Sequence, residues 1–600
     1  MGDYVGYTRW KKLKKLYHLS RGIIHIHGLR YYFYVIKLEI KKNGLGLFSP
    51  DQKPISTFDN ISYNEQYQNY LKNLNEKLEK ESFDKSIKLS YRPKILIVLI
   101  INDQNLENIK NTINSIKNQR YDNWQIAIFS TNYSQNIPRI NELIEKDSPK
   151  ILFYDKLSDT SFKTILKLDC DFVGFLHSGI HLSEFALNEF IKDLNQSSNS
   201  ELLYSDNDYL DKNNVRVNPF FKPDWSPYLF RSIDYLSPFY IIKKTILKKI
   251  DSDLIISKCF NFDILLQSIE NTNFFRHISI PLCSIKNKTS VNFDSKQLAL
   301  SNHLKRINID AKVKPGLTKN TFQIKYSNNK KPKVSIIIPT KNNYNILKRC
   351  IDSIEKKTNY KNKEIIIVDN SSTDNATKKY YSSLSHKIIT YSENFNFSKM
   401  NNLAVQSSSG QLLLFLNDDT KVLDSFWLDE LVSITMQKDV GVVGPKLIFS
   451  DNTIQHAGVV FLKTGSGFHP LMKQLENSNG YHNVLNSMRD YSAVTGACLM
   501  IKKEIFDKVG TFDNSFDVYY GDADLCLQVV NMGYRVIYTP FTKLLHEGSF
   551  TITKNNASHF DIENHLKFIK KWPYLKNGDP FYNSNLDWDY AISKTPFKTT

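Results

Sequence analysis

The chain has 600 residues, 41% of them hydrophobic, which is too long for one core and too apolar for a disordered polymer. Its formal net charge of +18 calls for an anionic partner such as nucleic acid, anionic lipid or a nucleotide sugar. No zinc-ligand cluster or repeated basic-aromatic motif supports nucleic acid, and no run approaches the roughly 20 apolar residues of a membrane span.

Residues 1–50 hold ten Lys or Arg against two acidic residues. Trp10, Leu13, Leu16 and Tyr17 fall at helical spacing, with Lys11, Lys12, Lys14 and Lys15 between them. A basic amphipathic helix of this kind lies on an anionic bilayer or packs on the protein's own body, and both readings stay open. The start lacks the apolar core of a signal peptide. Residues 51–90 read as a polar linker with one helix over roughly 63–82. The six cysteines, Cys170, Cys259, Cys283, Cys350, Cys498 and Cys526, are scattered, mostly in apolar contexts. They predict buried free thiols in a reducing compartment. A cytoplasmic protein is expected, at most attached to the inner face of the plasma membrane.

Residues 91–325 open with Pro93, a strand over Ile95–Ile101, a helix around Leu106–Ile116 and a strand over Trp124–Phe129. This is a β-α-β unit with buried parallel strands. Its strands end in Asn102-Asp103 and Ser130-Thr131-Asn132. A later strand, Asp171–Leu176, ends in His177-Ser178-Gly179.

The layout returns in residues 330–600, so the chain reads as two related halves. A strand over Val334–Ile338 meets Pro339-Thr340-Lys341-Asn342. A helix follows with Ile346, Leu347, Cys350, Ile351 and Ile354 on one face. The next strand, Ile365–Val368, ends in Asp369-Asn370-Ser371-Ser372-Thr373-Asp374. Ligands of such sheets sit past the carboxyl ends of the strands, where both polar clusters fall. Further strands are predicted over Ile388–Tyr391, Leu412–Leu416, Gly441–Gly444, Ala457–Leu462 and Arg535–Thr539. Helices are predicted from about Ser398 to Val405 and, led into by Tyr519-Tyr520-Gly521-Asp522-Ala523-Asp524-Leu525, to about Met532. Asp424 is expected to cap the helix that follows it.

Seven stretches carry a resemblance: VSIIIPTKNN, IIIVDNSSTD, ENFNFSKMNN, LLLFLNDDT, VTGACLMIKKEIFDKVGTFD, YYGDADLCLQV and LLHEGS. In this order, over about 220 residues (332–550), they resemble the inverting glycosyltransferases of family 2, of the bacterial O-antigen and cell-surface polysaccharide type often described as rhamnosyltransferases. The segments LLYSDNDYLDKNNVRVNPFFKPDWSP, IDYLSPFYIIKKTIL and NFDILLQSIENTNFFRHISIPLCSI resemble the same family more faintly. The resemblance implies an α/β protein of two tandem GT-A domains with Rossmann-like, mainly parallel sheets. Residues 1–90 would be the basic helical segment and linker, 91–325 a degenerate GT-A-like domain, and 330–600 the catalytic domain with its tail.

The reaction implied is transfer of a sugar from a nucleoside diphosphate to an acceptor hydroxyl. By resemblance, Pro339, Thr340, Asn342 and Asp369 hold the nucleotide, with Asp374, Asn394 and Asp418 in support. Asp374 also reads as a turn or helix cap, and Asp418 as a cap. Asp419 and His546 would hold a divalent cation, Mn2+ or Mg2+, against the leaving diphosphate. In Asn417-Asp418-Asp419 an Asn stands where the family's Asp-x-Asp has its first Asp. Asp522 matches the family's base, which must reach the acceptor hydroxyl. Asp524 reads as an acceptor contact or as a helix-opening acid. Gly521 and Gln528 depart from the family's usual Glu and Arg. Thr495-Gly496-Ala497 would form a wall under the sugar, close enough to exclude a side chain at Gly496.

The partners implied are a nucleotide-sugar donor, dTDP-rhamnose or a UDP-sugar, and a lipid-linked or oligosaccharide acceptor, with no nucleic acid. Two other readings are weighed. A bifunctional two-site polymerase is opposed by the acid-free end at His177-Ser178-Gly179. A non-enzymatic glycan-assembly scaffold has no need of Asp369, Asp419, Asp522 and His546 together.

Overall fold

The computed structural model describes residues 60–83, 89–101, 105–130, 150–154, 161–252, 255, 257–286, 292–548 and 562–586. The basic helix expected in residues 1–50, and the strand ends at 102–103 and 131–132, lie outside them. The described residues from Asn60 onward belong to one compact unit. None of their helices is long and apolar enough to cross a membrane.

The chain enters on helix α1 (Asn60–Phe83), three residues longer at its start than the predicted helix. The first sheet is built from β1 (Ile95–Ile101), β2 (Trp124–Ser130), β3 (Ile151–Tyr154), β4 (Phe172–His177), β5 (Ile180–Leu182), β6 (Leu202–Leu210), β7 (Arg216–Phe220), β8 (Tyr240–Lys243) and β9 (Phe275–Ile285). Helix α2 (Leu106–Lys117) links β1 to β2, and α3 (Phe260–Ile269) precedes β9. A hairpin, β10 (Ala311–Pro315) and β11 (Phe322–Tyr326), leads to the second sheet.

That sheet has β12 (Val334–Thr340), β13 (Lys363–Asp369), β14 (Lys387–Thr390), β15 (Leu412–Leu416), β16 (Thr420–Val422), β17 (Val440–Ile448) and β18 (Ile454–His456). After a two-stranded pair, β19 (Val460–Phe461) with β20 (Gly467–Phe468), come β21 (Arg489–Tyr491), β22 (Cys498–Lys502) and β23 (Arg535–His546). Its helices are α4 (Tyr344–Lys357), α5 (Asn375–Tyr381), α6 (Phe397–Gln406) and α7 (Gly521–Asn531), and α8 (Ile562–Lys571) follows β23.

The strand orders are β3-β2-β1-β4-β8-β6-β9-β5 and β14-β13-β12-β15-β22-β17-β23-β16. The second is the first repeated strand for strand. Each sheet has a parallel Rossmann-like half, with β1 between β2 and β4 and β12 between β13 and β15. Such strands are covered on both faces, which is why ILIVLII and VSIIIPT are buried at every position. Helix α4 turns Leu347, Cys350, Ile351 and Ile354 to the sheet as its spacing predicts, while Ile346, expected on the same face, stays half-buried. All six cysteines are free and buried.

The two halves share a core. One apolar cluster runs from Leu96 and Phe175 through Tyr228 and Tyr326 to Ile338 and Trp427. Polar contacts close the same seam. Tyr228 Oη donates to Asp439 at 2.9 Å, and Asp490 accepts from Ser226 Oγ and from Arg535 at 2.8 Å. Beyond α8 the chain returns to the first half, where Asn583 Nδ2 donates to Asp206 at 3.0 Å.

Three expectations change. The strand expected over Ala457–Leu462 is only the two residues of β19. Strand β23 does not stop at Thr539 but continues to His546. It absorbs Pro540 because the register jumps: Pro445 faces Thr539, yet Lys446 faces Lys543. Asp424 is not a cap residue. Phe426 holds that position, while Asp424 accepts from the Phe426 amide and from Thr542 Oγ1.

Candidate functional site

The carboxyl edge of the second sheet gathers the polar strand ends. Pro339 and Thr340 close β12, paired with Val368 and Asp369 of β13. Thr340 Oγ1 donates to Asp418 Oδ2 at 2.6 Å, and Asn343 Nδ2 adds a bond at 3.3 Å. Asp418 is buried, and burial pushes its carboxyl up to about 6, against the pull of the Thr340 hydrogen bond. Asp369 is also buried. It accepts from the Ser372 amide at 3.1 Å and from Tyr381 Oη at 2.9 Å.

Asn342 ties the two strand ends together. It sits at φ +53°, a left-handed conformation that Asn tolerates better than most residues. From there its Oδ1 accepts from the amides of Thr373 at 2.6 Å and Asp374 at 3.1 Å. Asp374 is the N-cap of α5, accepting from the Thr377 amide at 2.8 Å. Asn394 lies exposed on the rim, after β14.

Asp419 follows Asp418 directly and turns to the far end of β23. Thr420 pairs with His546, which sets Asp419 Oδ1 3.1 Å from His546 Nε2. Both side chains are buried. Apart from that contact, Asp419 Oδ1 and His546 Nδ1 are buried atoms without an aligned hydrogen-bond partner. Buried polar atoms are nearly always satisfied, so a carboxylate oxygen and an imidazole placed together in this way fit a cation. Among the described residues no group of three His, Cys, Asp or Glu gathers to hold a metal. The protein would supply two ligands and leave the other positions to water or phosphate, as Mg2+ sites commonly do.

Asp522 opens α7. Its Oδ2 accepts from the Gly496 amide at 2.7 Å and its Oδ1 from the Ala523 amide at 2.8 Å. Burial raises the carboxyl above the ordinary range, against those two bonds. Space at Gly496 is tight: a Cβ there would lie 3.0 Å from Phe397 Cζ and 3.3 Å from Asp522 Cβ, so those side chains would have to shift by a few tenths of an ångström. Tyr520, just before α7, is held at φ +69°, a strained conformation for a bulky residue. Its hydroxyl meets His565 Nδ1 of α8 at 2.9 Å.

Asp524 points the other way. It is fully buried, and its oxygens accept from Trp572 Nε1 at 2.8 Å, Lys571 Nζ at 2.9 Å and Gln528 Nε2 at 2.6 Å. It fastens the C-terminal segment to α7, and no face of it is open to an acceptor sugar.

Thr340, Asp369, Asp418, Asp419, Asp522, Gly496 and His546 therefore share one edge, while Asn342 and Asp374 brace it. The sequence reading missed Asn343, although it stands inside the PTKNN motif. It also missed Tyr381, whose bond to Asp369 depends on how α5 packs, and the pair His456 and His469. Two histidines 13 residues apart, in a chain with only 14, were the available signal for that pair.

Residues 335–510 match the family model of glycosyl transferase family 2. The chain is 32% identical over 528 residues to the O-antigen biosynthesis protein RfbC of Myxococcus xanthus, covering 83% of this chain and 41% of that protein. It is 28% identical over 543 residues to the protein y4gI of Sinorhizobium fredii, covering 83% and 58%. The chain thus spans about half the length of these relatives. A shorter likeness, 21% over 206 residues, is to the dTDP-rhamnosyl transferase RfbF of Shigella flexneri, covering 34% of this chain and 66% of that one. The matched family 2 stretch includes Pro339 to Asp419 and Gly496. Asp522 and His546 lie beyond it, on the same sheet edge.

Proposed function

We propose that the chain is an inverting glycosyltransferase with one working site, in its second half, that moves a sugar from a nucleotide-sugar donor to a glycan acceptor. One observation carries the reading: the strand ends at Thr340 and Asp369, the Asp419–His546 pair and the Asp522 carboxylate converge on one edge of the family 2 sheet. Asp369 accepts hydrogen bonds from the base or ribose of the nucleotide, steadied by Tyr381, while Thr340 and Asn342 shape its bed. Asp419 and His546 would hold a divalent cation, Mn2+ or Mg2+, whose charge would offset that of the departing diphosphate. Asp522 takes the proton from the acceptor hydroxyl, helped by the raised basicity of a buried carboxylate. The freed oxygen bonds to C1 on the face opposite the leaving group, the bond from C1 to the diphosphate oxygen breaks, and the anomeric configuration inverts. Gly496 lets the sugar and its acceptor approach the backbone.

The names of the relatives support a place in O-antigen or cell-surface polysaccharide synthesis and favour dTDP-rhamnose, with UDP-sugars the other class of donor. Residues 91–325 are a degenerate copy that scaffolds the site or guides the acceptor chain. Residues 1–90 bring the protein to the inner face of the plasma membrane, and the acceptor is lipid-linked or an oligosaccharide.

The test is donor binding and hydrolysis by the purified chain across dTDP- and UDP-sugars, with and without Mn2+, beside Asp419→Ala and Asp522→Asn. One donor should bind with metal, Asp419→Ala should weaken it, and Asp522→Asn should bind without turning over. A chain that binds no donor is not a transferase of this kind. Turnover that survives Asp522→Asn would move the base elsewhere, or reveal a second working site.

A further inference from the structure

His456 and His469 form a buried pair beside the candidate cation site, with Nδ1 atoms 2.9 Å apart. Two neutral rings at that distance must share one proton, because two lone pairs repel. The hydrogen bonds decide which ring carries it. His456 Nε2 accepts from the Gly458 amide at 3.3 Å, so the His456 proton lies on Nδ1 and points at His469. His469 therefore accepts at Nδ1 and, as a neutral ring, carries its own proton on Nε2. Burial keeps both rings neutral, holding His469 down to about 4 and His456 well below its ordinary value. The Nε2–H of half-buried His469 finds no acceptor among the described residues. An oriented donor is thus left for something outside the protein.

The strand register says where the pair lies. His456 faces Leu447 of β17, and Leu447 faces Leu544 of β23, two residues before His546. Directly paired residues share a face of a sheet, as do alternate residues along a strand. His456 and His546 are therefore on the same face, two strands apart.

We propose that His456 locks the tautomer of His469 so that His469 Nε2–H donates to a diphosphate oxygen of the nucleotide sugar, beside Asp419 and His546. His469 is a binding residue for the diphosphate, and His456 is its positioning residue. This rests on the transferase reading above.

The experiment titrates wild type, His469→Ala and His469→Gln with UDP, dTDP, UMP and dTMP in the presence of Mn2+. Melting curves check folding, and His469→Phe, which keeps a ring without the donor, replaces the Ala variant if that one fails to fold. A hydrogen bond to a charged oxygen corresponds to roughly tenfold in affinity. His469→Ala should lose about that factor for the diphosphate that binds wild type and leave the matching monophosphate unchanged, and Gln, which restores an N–H, should recover most of it. Unchanged diphosphate affinity in folded His469→Ala or His469→Phe overturns the proposal. So does an equal loss for mono- and diphosphate, or a loss seen only with nucleotide sugars, which would put the contact on the sugar. Wild type that binds no nucleotide at all would instead overturn the transferase reading, and the inference with it.

Discussion

The two sheets pair the same strands in the same order and differ where chemistry would happen. Ile95 faces Phe172 in the first sheet and Val334 faces Leu412 in the second, so residues can be matched position by position. His177, Ser178 and Gly179 then stand where the second half has Asn417, Asp418 and Asp419. Ile101 and Ser130 stand for Thr340 and Asp369. Ile285, opposite Ile180, takes the place of His546, opposite Thr420. In α3, Phe262-Asp263-Ile264-Leu265-Leu266-Gln267 matches Ala523-Asp524-Leu525-Cys526-Leu527-Gln528 of α7, with both aspartates fully buried. That alignment puts Asn261 at the position of Asp522. Asn261 Nδ2 lies 3.0 Å from His177 Nε2, so the residues that match Asp522 and Asn417 bond each other. A buried aspartate in the helix is kept in both halves, while the acids at the matched strand ends are present in the second half alone. On the one-site reading proposed above, fold and function separate at that line.

Exchanging the base positions gives the sharpest break. Asp522→Asn should lower transfer by about 10²–10⁴-fold with donor binding retained, while Asn261→Asp in the first half should leave transfer intact. Steady-state transfer beside donor titration reads both. A large loss from the first-half variant, with the protein folded, would end the one-site reading. The same residue sets a pH limb. Burial raises the Asp522 carboxyl, and only its ionised form can take a proton. The kcat/KM profile should therefore fall in acid, with its break above the ordinary carboxylate range, and a break at the ordinary value would deny the tuning.

The cation pair ranks next. Asp419→Ala should weaken Mn2+-dependent donor binding by about 10–100-fold, seen in titrations with and without chelator. Ile285→Ala, at the position matching His546, should leave the metal dependence alone. Equal effects from both would mean that the halves contribute jointly to the site.

Most of the fold was legible because buried parallel strands leave unbroken apolar runs, and those runs end at the functional edge. The polar clusters at Pro339–Asn342 and Asp369–Asp374 mark that edge. What failed was direction. Asp522 and Asp524 look like a pair in sequence, yet two residues along a helix are about 200° apart, so one faces the cleft and the other faces Lys571 and Trp572. Strand β23 was cut short because Pro540 cannot donate to a ladder, and only its bulged register shows how the strand passes it. Tyr381, His456 and His469 act through partners fixed by packing, which no local pattern encodes.

Asp418 gives a stability difference between the halves. Its folded carboxyl is raised to about 6, so the folded state holds the proton more tightly than the unfolded chain. The stability linked to that proton is present below the ordinary aspartate value and is lost as pH rises through about 6. Asp418→Asn should therefore gain about 1–3 kcal/mol at pH 8, and the gain should vanish by about pH 4. Ser178, the matching residue, has no such titration, so Ser178→Ala should show the same stability change at both pH values. Melting curves at the two pH values decide it, and a gain for Asp418→Asn that ignores pH would remove burial of the charge as its cause.

The smallest effect separates bracing from binding within the second half. Asp374 belongs to the motif that ends β13, but its carboxylate accepts the Thr377 amide as the first cap of α5. Losing such a cap costs about 1 kcal/mol. Asp374→Ala should lower the stability by that much and leave the donor KM unchanged, because the edge is still tied by Asn342 to the Thr373 amide. Asn342→Ala removes that tie as well and should raise the donor KM. If Asp374→Ala alone raises KM without touching stability, its carboxylate contacts the nucleotide, and the cap is incidental to a binding role.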